Sequence, residues 1–133
     1  MIQTAKSYVY STPAPPALSA TLSAAVSLIE QGDDLRSHLQ HLMATLKANL
    51  SLQHWQLMPS NTAIQPLVVG SNHAALALSE YLQDKGILVP AIRPPTVPVN
   101  TARLRISLSA AHREHDVITL AKAINEAEKV MTQ

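Results

Sequence analysis

Arg103 and Arg105 stand two residues apart in the run Ala102-Arg103-Leu104-Arg105-Ile106-Ser107-Leu108-Ser109. In an extended chain successive side chains point to opposite faces. Arg103, Arg105, Ser107 and Ser109 therefore share one face, and Leu104, Ile106 and Leu108 the other. The two arginine Cα atoms are then about 6.6–7 Å apart. Planar guanidinium groups beside a hydroxyl can grip a carboxylate or a phosphate through paired hydrogen bonds. The same pattern also describes an ordinary solvated strand face. Arg93, at the end of an earlier apolar run, could join that face, and Arg93-Pro94-Pro95-Thr96-Val97-Pro98 follows as a rigid loop. Rigid loops beside a sheet edge either present ligands or simply connect.

Other groups offer less. Tyr10-Ser11-Thr12 precedes a helix start, where hydroxyls and free N–H groups can hold an anion or merely cap the helix. His38 and His41 are spaced i, i+3, as are His112 and His115. A metal site needs a third ligand and supporting partners, and neither pair supplies them, so no metal is expected. No Ser–His–Asp set and no pair of carboxylates can be assembled with any specificity.

Composition narrows the classes further. The 133 residues include no cysteine, which removes disulfide scaffolds, thiolate zinc sites and thiol nucleophiles. Three glycines, at 32, 70 and 86, cannot form a glycine-rich phosphate loop. A net charge of +1, from scattered Lys and Arg, is not the footprint of a nucleic-acid binder. The N-terminus lacks the apolar core of a signal peptide, and Pro13 to Ile29 is too short and too hydroxylated to span a membrane. A cytoplasmic protein is the expectation. Charged residues make up only 14% of the chain, well under the usual quarter, so part of the surface is expected to be covered.

The elements that must position the arginines follow from periodicity. Pro15 and Pro16 suit a first helical turn, and Leu18, Leu22, Val26 and Ile29 repeat at helical spacing until Gly32. Asp33 or Asp34 can cap a second helix striped by Leu35, Leu39, Leu42, Leu46 and Leu50, giving an αα pair or one kinked rod. Residues 49–62 read as a polar loop, and Gln65 to Val69 as a strand closed by Gly70. Ser71 or Asn72 caps a third helix with Ala75, Leu78 and Leu82 inward, ended by Gly86. Ile87-Leu88-Val89 begins a strand reaching Arg93, and Ala102 to Ser109 forms the clearest strand. A last amphipathic helix carries Val117, Leu120, Ala121, Ile124, Ala127 and Met131. The order α-α-β-α-β-β-α implies an α+β fold, a small antiparallel or mixed sheet of about three strands with helices on one side.

Two stretches carry a resemblance to a known family. Tyr8-Val9-Tyr10-Ser11-Thr12-Pro13-Ala14-Pro15-Pro16-Ala17 resembles the segment that opens the C-terminal third of the α-oxoamine synthases. Leu82 to Pro98, with Ile92-Arg93-Pro94-Pro95-Thr96-Val97-Pro98 at its end, and Thr101 to His112 resemble the rest of that third. The resemblance implies a pyridoxal-phosphate enzyme of fold type I, usually a cytoplasmic homodimer with active sites at the subunit interface. In the branch with this Pro-rich string, L-alanine is condensed with pimeloyl-CoA or a pimeloyl-carrier protein. A sibling branch uses glycine and acetyl-CoA.

By the same resemblance Arg105 matches the arginine holding the amino-acid carboxylate, and Thr96 a substrate-contacting threonine. Ser11 and Thr12 match residues approaching the cofactor phosphate of the neighbouring subunit, and Arg103 is structural. Residues 1–32 correspond to the large-domain and interface region, and residues 33–133 to the small C-terminal domain. The family's Schiff-base lysine, pyridine-facing aspartate and ring-stacking histidine find no match here, since Lys6, Lys47, Lys85, Lys122 and Lys129 lie outside the required motif. The chain alone is therefore expected to bind no cofactor and to be inactive. A stand-alone, non-catalytic α+β binding module is the competing expectation.

Overall fold

A computed structural model of the chain describes residues 15–132. It divides into two compact units, Met1–Asp34 and Leu35–Gln133. In the first, α1 spans Pro16–Glu30, with proline in its first turn where a missing N–H costs nothing. No residue of α1 is buried, and Leu18, Leu22, Val26 and Ile29 are all about half exposed or more. A Gln31-Gly32 turn separates it from α2, Asp33–Asn49, whose first turn is acidic and last turn basic, as the helix dipole favours.

The second unit contains the sheet. Its strands are β1 (Gln56–Leu57), β2 (Ile64–Gly70), β3 (Ala91–Ile92) and β4 (Ala102–Ser107), with helices α3 (Asn72–Asp84) and α4 (Glu114–Met131). All pairings are antiparallel, in the order β1-β2-β4-β3. The α+β fold with helices on one side stands; the sheet has four strands rather than about three. The alternation in β4 is as expected, with Leu104 and Ile106 buried and Arg105 and Ser107 exposed. Leu67 of β2 joins them beneath Leu42 and Leu46 of α2, Leu78 and Leu82 of α3, and Ile124 of α4. Each such leucine contributes about 1.5–3 kcal/mol by burial.

Two boundary signals act locally. Ser71 Oγ accepts the Ala74 N–H at 3.1 Å and caps α3. At the other end Gly86, at φ +77°, turns the chain. Its N–H bonds the Gln83 carbonyl, and the Ile87 N–H reaches back to Leu82 at 2.9 Å. This is the paired closure that a left-handed glycine permits.

Two expectations fail. Residues 87–90 are not strand, because Ser79 Oγ holds the Val89 carbonyl toward α3 at 2.7 Å and Pro90 has no N–H to donate. The chain first meets β4 where the Arg105 N–H donates to the Pro90 carbonyl, and the ladder runs only through Ala91 and Ile92. Conversely, Gln56–Leu57, inside the expected loop, is drawn into the sheet opposite Leu67 and Val68.

Candidate functional site

The open face of the sheet is assembled by register. Ile64, Pro66 and Val68 of β2 lie opposite Ser107, Arg105 and Arg103 of β4. Ile92 of β3 lies opposite Arg103 on the other side. The result is a mostly apolar face, exposed or half-buried, with two guanidinium groups set into it.

The two arginines differ sharply. Arg103 Nε donates to the Thr101 carbonyl at 3.0 Å and Nη2 to Thr101 Oγ1 at 3.2 Å. Its Nη1 reaches Met58 Sδ at 3.1 Å. All three nitrogens are thus committed to structure. Arg105 is exposed, and its side chain makes no hydrogen bond or ion pair with the described residues. The paired grip considered from spacing reduces to one available guanidinium. Arg93 does not extend it, since Ile92 takes the open-face position opposite Arg103 and Arg93 has entered the following turn.

Thr96 lies exposed in that turn, its N–H bonded to the Arg93 carbonyl at 3.1 Å. The loop returns through Asn100, at φ +62°, and is closed where Thr101 Oγ1 donates to the Pro98 carbonyl at 2.8 Å. The loop leaves β3 beside Arg103 and re-enters at Ala102, so Thr96 sits at the end of the sheet that carries the arginines. Ser11 and Thr12 lie outside the described residues.

The histidines join elements. His38 Nε2 is 3.1 Å from the His112 carbonyl, and His41 Nε2 is 3.5 Å from Glu114, both linking α2 to the start of α4. His112 Nδ1 accepts the Ser109 N–H at 3.0 Å, making Ser109-Ala110-Ala111-His112 a closed turn. Among the described residues no three His, Cys, Asp or Glu are grouped to hold a metal. A cleft of about 480 Å³ opens between residues 85–89, the end of β4 and α4. It includes neither Arg105 nor Thr96, and two of its charged groups are engaged: Lys85 with Glu126 at 2.8 Å, and Asp116 with the Arg113 N–H. The hydrogen bond to Glu126 raises the Lys85 pKa, and Lys85 lowers that of Glu126.

Glu128, on α4, gave no signal in the sequence. Its side chain is buried, and its carboxylate accepts the N–H groups of Gln53 (2.9 Å), His54 (2.9 Å) and Trp55 (2.7 Å). Burial alone would push its pKa up; the three backbone donors outweigh that and hold it below the ordinary carboxylate value. One turn earlier Asn125 accepts the Ser51 N–H and donates to the Asn49 carbonyl. Only the helical spacing of Asn125 and Glu128 was legible beforehand; their partners lie more than seventy residues away.

An open sheet face with one arginine unpartnered among the described residues, continued by a proline-rich loop, is a surface on which a carboxylate or phosphate could be held. Residues 1–124 match the family model described as aminotransferase class I and II, and the chain belongs to that family. It is 55% identical over 128 residues to 8-amino-7-oxononanoate synthase of Aromatoleum aromaticum, covering 96% of this chain and 33% of that protein. It is 51% identical over 129 residues to the synthase of Methylobacillus flagellatus, covering 97% and 33%. The chain thus spans about a third of the length of these relatives.

Its fold is also that of solved structures. The Sphingomonas wittichii serine palmitoyltransferase superposes with a TM-score of 0.71 at 25% identity, over 96% of this chain and 33% of that one. The Francisella tularensis 8-amino-7-oxononanoate synthase does so with 0.74 at 23% identity, over 99% and 38%. Among the described residues no helix is long and apolar enough to cross a membrane.

Proposed function

We propose that the chain forms the substrate-carboxylate part of a pyridoxal-phosphate-dependent C-acyltransferase, 8-amino-7-oxononanoate synthase. The reaction condenses L-alanine with pimeloyl-CoA or a pimeloyl-carrier protein and releases CO2 and the free thiol carrier. The observation that carries this reading is Arg105, an exposed guanidinium on an open sheet face with no partner among the described residues. Identity of about half to the synthases supports alanine over glycine, serine or other amino acids. Fold likeness extends equally to a serine palmitoyltransferase and does not choose the substrate.

In this reading Arg105 holds the alanine carboxylate through two parallel N–H···O bonds and fixes its orientation. The Thr96 hydroxyl contacts substrate from the loop, and the flanking Pro66, Val68 and Ile92 exclude water from the ion pair. Ser11 and Thr12 face the phosphate of the neighbouring subunit's cofactor. Pyridoxal phosphate, when bound, supplies the electron sink for the carbanion derived from alanine. The described residues fit the substrate side of that chemistry.

The described lysines do not fit the cofactor side. Lys47 donates to the Ser60 carbonyl at 2.9 Å and Lys85 is paired with Glu126, while Lys122 and Lys129 lie on α4, which packs against the opposite face. The chain alone is accordingly inactive, and the parent is a cytoplasmic homodimer in which residues 1–32 meet the large domain and the second subunit. The α1 apolar stripe supports that placement.

Titrating L-alanine or acetate into the 133-residue chain should move the Arg105 Nε–Hε resonance saturably, while alaninamide leaves it in place. Equal responses to acid and amide would sink the carboxylate assignment. Pyridoxal phosphate should give no visible absorbance band that a lysine substitution removes; such a band would restore catalysis to this chain.

A further inference from the structure

Arg103 joins two segments that are not otherwise in contact through hydrogen bonds. On one side it holds Thr101, whose Oγ1 closes the loop carrying Thr96 by bonding Pro98. On the other it reaches Met58, which directly follows β1 and whose N–H donates to the Pro66 carbonyl. β1 is only two residues long and lies at the sheet edge, so its own ladder holds it weakly. What holds it from behind is α4, through Glu128 on three consecutive N–H groups ending at Trp55 and through Asn125 on the Asn49 carbonyl and the Ser51 N–H.

We propose that Glu128 is a positioning residue for the carboxylate site, acting through Trp55, Met58 and Arg103 on the loop that carries Thr96. Its carboxylate is buried on the opposite side of the sheet and touches no substrate. Three parallel N–H groups aimed at one anion fix residues 53–55 as a rigid unit. Met58 is thereby held where its sulfur accepts from Arg103. With Arg103 pinned at both ends, its charge stays out of the subsite and a single guanidinium, Arg105, meets the ligand. Release of residues 51–58 frees Arg103 to compete for the same anion and slackens the Pro98–Thr101 closure. This inference rests on the assignment of Arg105 and Thr96 to a carboxylate site.

The test reads Arg103 directly. In wild-type chain the Arg103 Nε–Hε resonance should be protected from water exchange by its bond to Thr101. Glu128→Gln, which replaces one acceptor oxygen by a donor, should speed that exchange about ten-fold or more and shift the Thr96 and Thr101 amides. Asn125→Ala, a milder cut in the same clamp, should shift the same resonances by less, and it decides the matter if Glu128→Gln does not fold. An Arg103 signal unchanged in exchange and position in the folded variants overturns the proposal. Failure of Arg105 to respond to acetate in wild type would instead overturn the carboxylate site, so the two ideas fail separately.

Discussion

On one face of β4, Leu104 and Ile106 disappear beneath α2, α3 and α4; on the other, Arg103 and Arg105 sit among half-exposed apolar residues. The first face is closed by its own chain. The second is left open, and among the described residues only Arg103 of its two arginines finds partners. A face that uses one cation for structure and leaves the next unpartnered among the described residues is what the proposed carboxylate site requires. The contrast separates residues that hold the fold from those that use it.

The sharpest break in this comparison is Leu104→Ala. Truncating a fully buried leucine should lower stability by about 2–5 kcal/mol in urea denaturation followed by circular dichroism. Arg105→Ala, next along the strand, should leave the denaturation midpoint where it is and abolish the acetate-induced shifts. A large loss of stability in Arg105→Ala would mean that the open face is structural after all.

Next in size is Glu128→Gln, expected to cost about 1–3 kcal/mol because the backbone N–H groups of residues 53–55 lose a charged acceptor and meet an amide donor in place of one oxygen. The effect carries a pH signature. The folded-state pKa of Glu128 is depressed, so its contribution is fully present above the ordinary glutamate value of about 4.3. It is lost as the pH falls below that value through the folded one. Stability of the wild type should therefore drop in that acid window more steeply than that of Glu128→Gln; parallel curves would remove Glu128 as the cause.

Ser71→Ala should cost about 1 kcal/mol, the usual loss of a helix cap, read as an earlier thermal midpoint. The smallest effect belongs to Lys85→Gln. The Lys85–Glu126 pair is exposed and screened, so chemical denaturation should show no change beyond error.

Much of this was legible in the residues. Gly86 stops α3, Ser71 starts it, and the alternation from Ala102 to Ser107 assigns both faces of β4, because each depends on backbone geometry within a few residues. Arg105 is reached from spacing and from resemblance and Thr96 from resemblance alone, and their binding roles belong to the proposal. The resemblance assigns the carboxylate to Arg105 and a structural role to Arg103, but spacing does not say which arginine remains available. That depends on Met58, forty-five residues from Arg103, and on a two-residue strand whose sequence has no strand period. Residues 87–90 misled for a related reason: an apolar run fits strand and coil alike until Ser79 claims the Val89 carbonyl.

The sequence by itself therefore determined the presence of the helices, the ends of α3, the direction of each β4 side chain and the family resemblance. Local hydrogen-bond periods and turn chemistry do not depend on distant chain. Tertiary structure alone decided the fourth strand, the anchoring of residues 53–55 by Glu128 and the bonds that tie Arg103 down while Arg105 stays exposed. Those outcomes turn on which unpaired donors and acceptors meet across long separations, and no local pattern encodes that meeting.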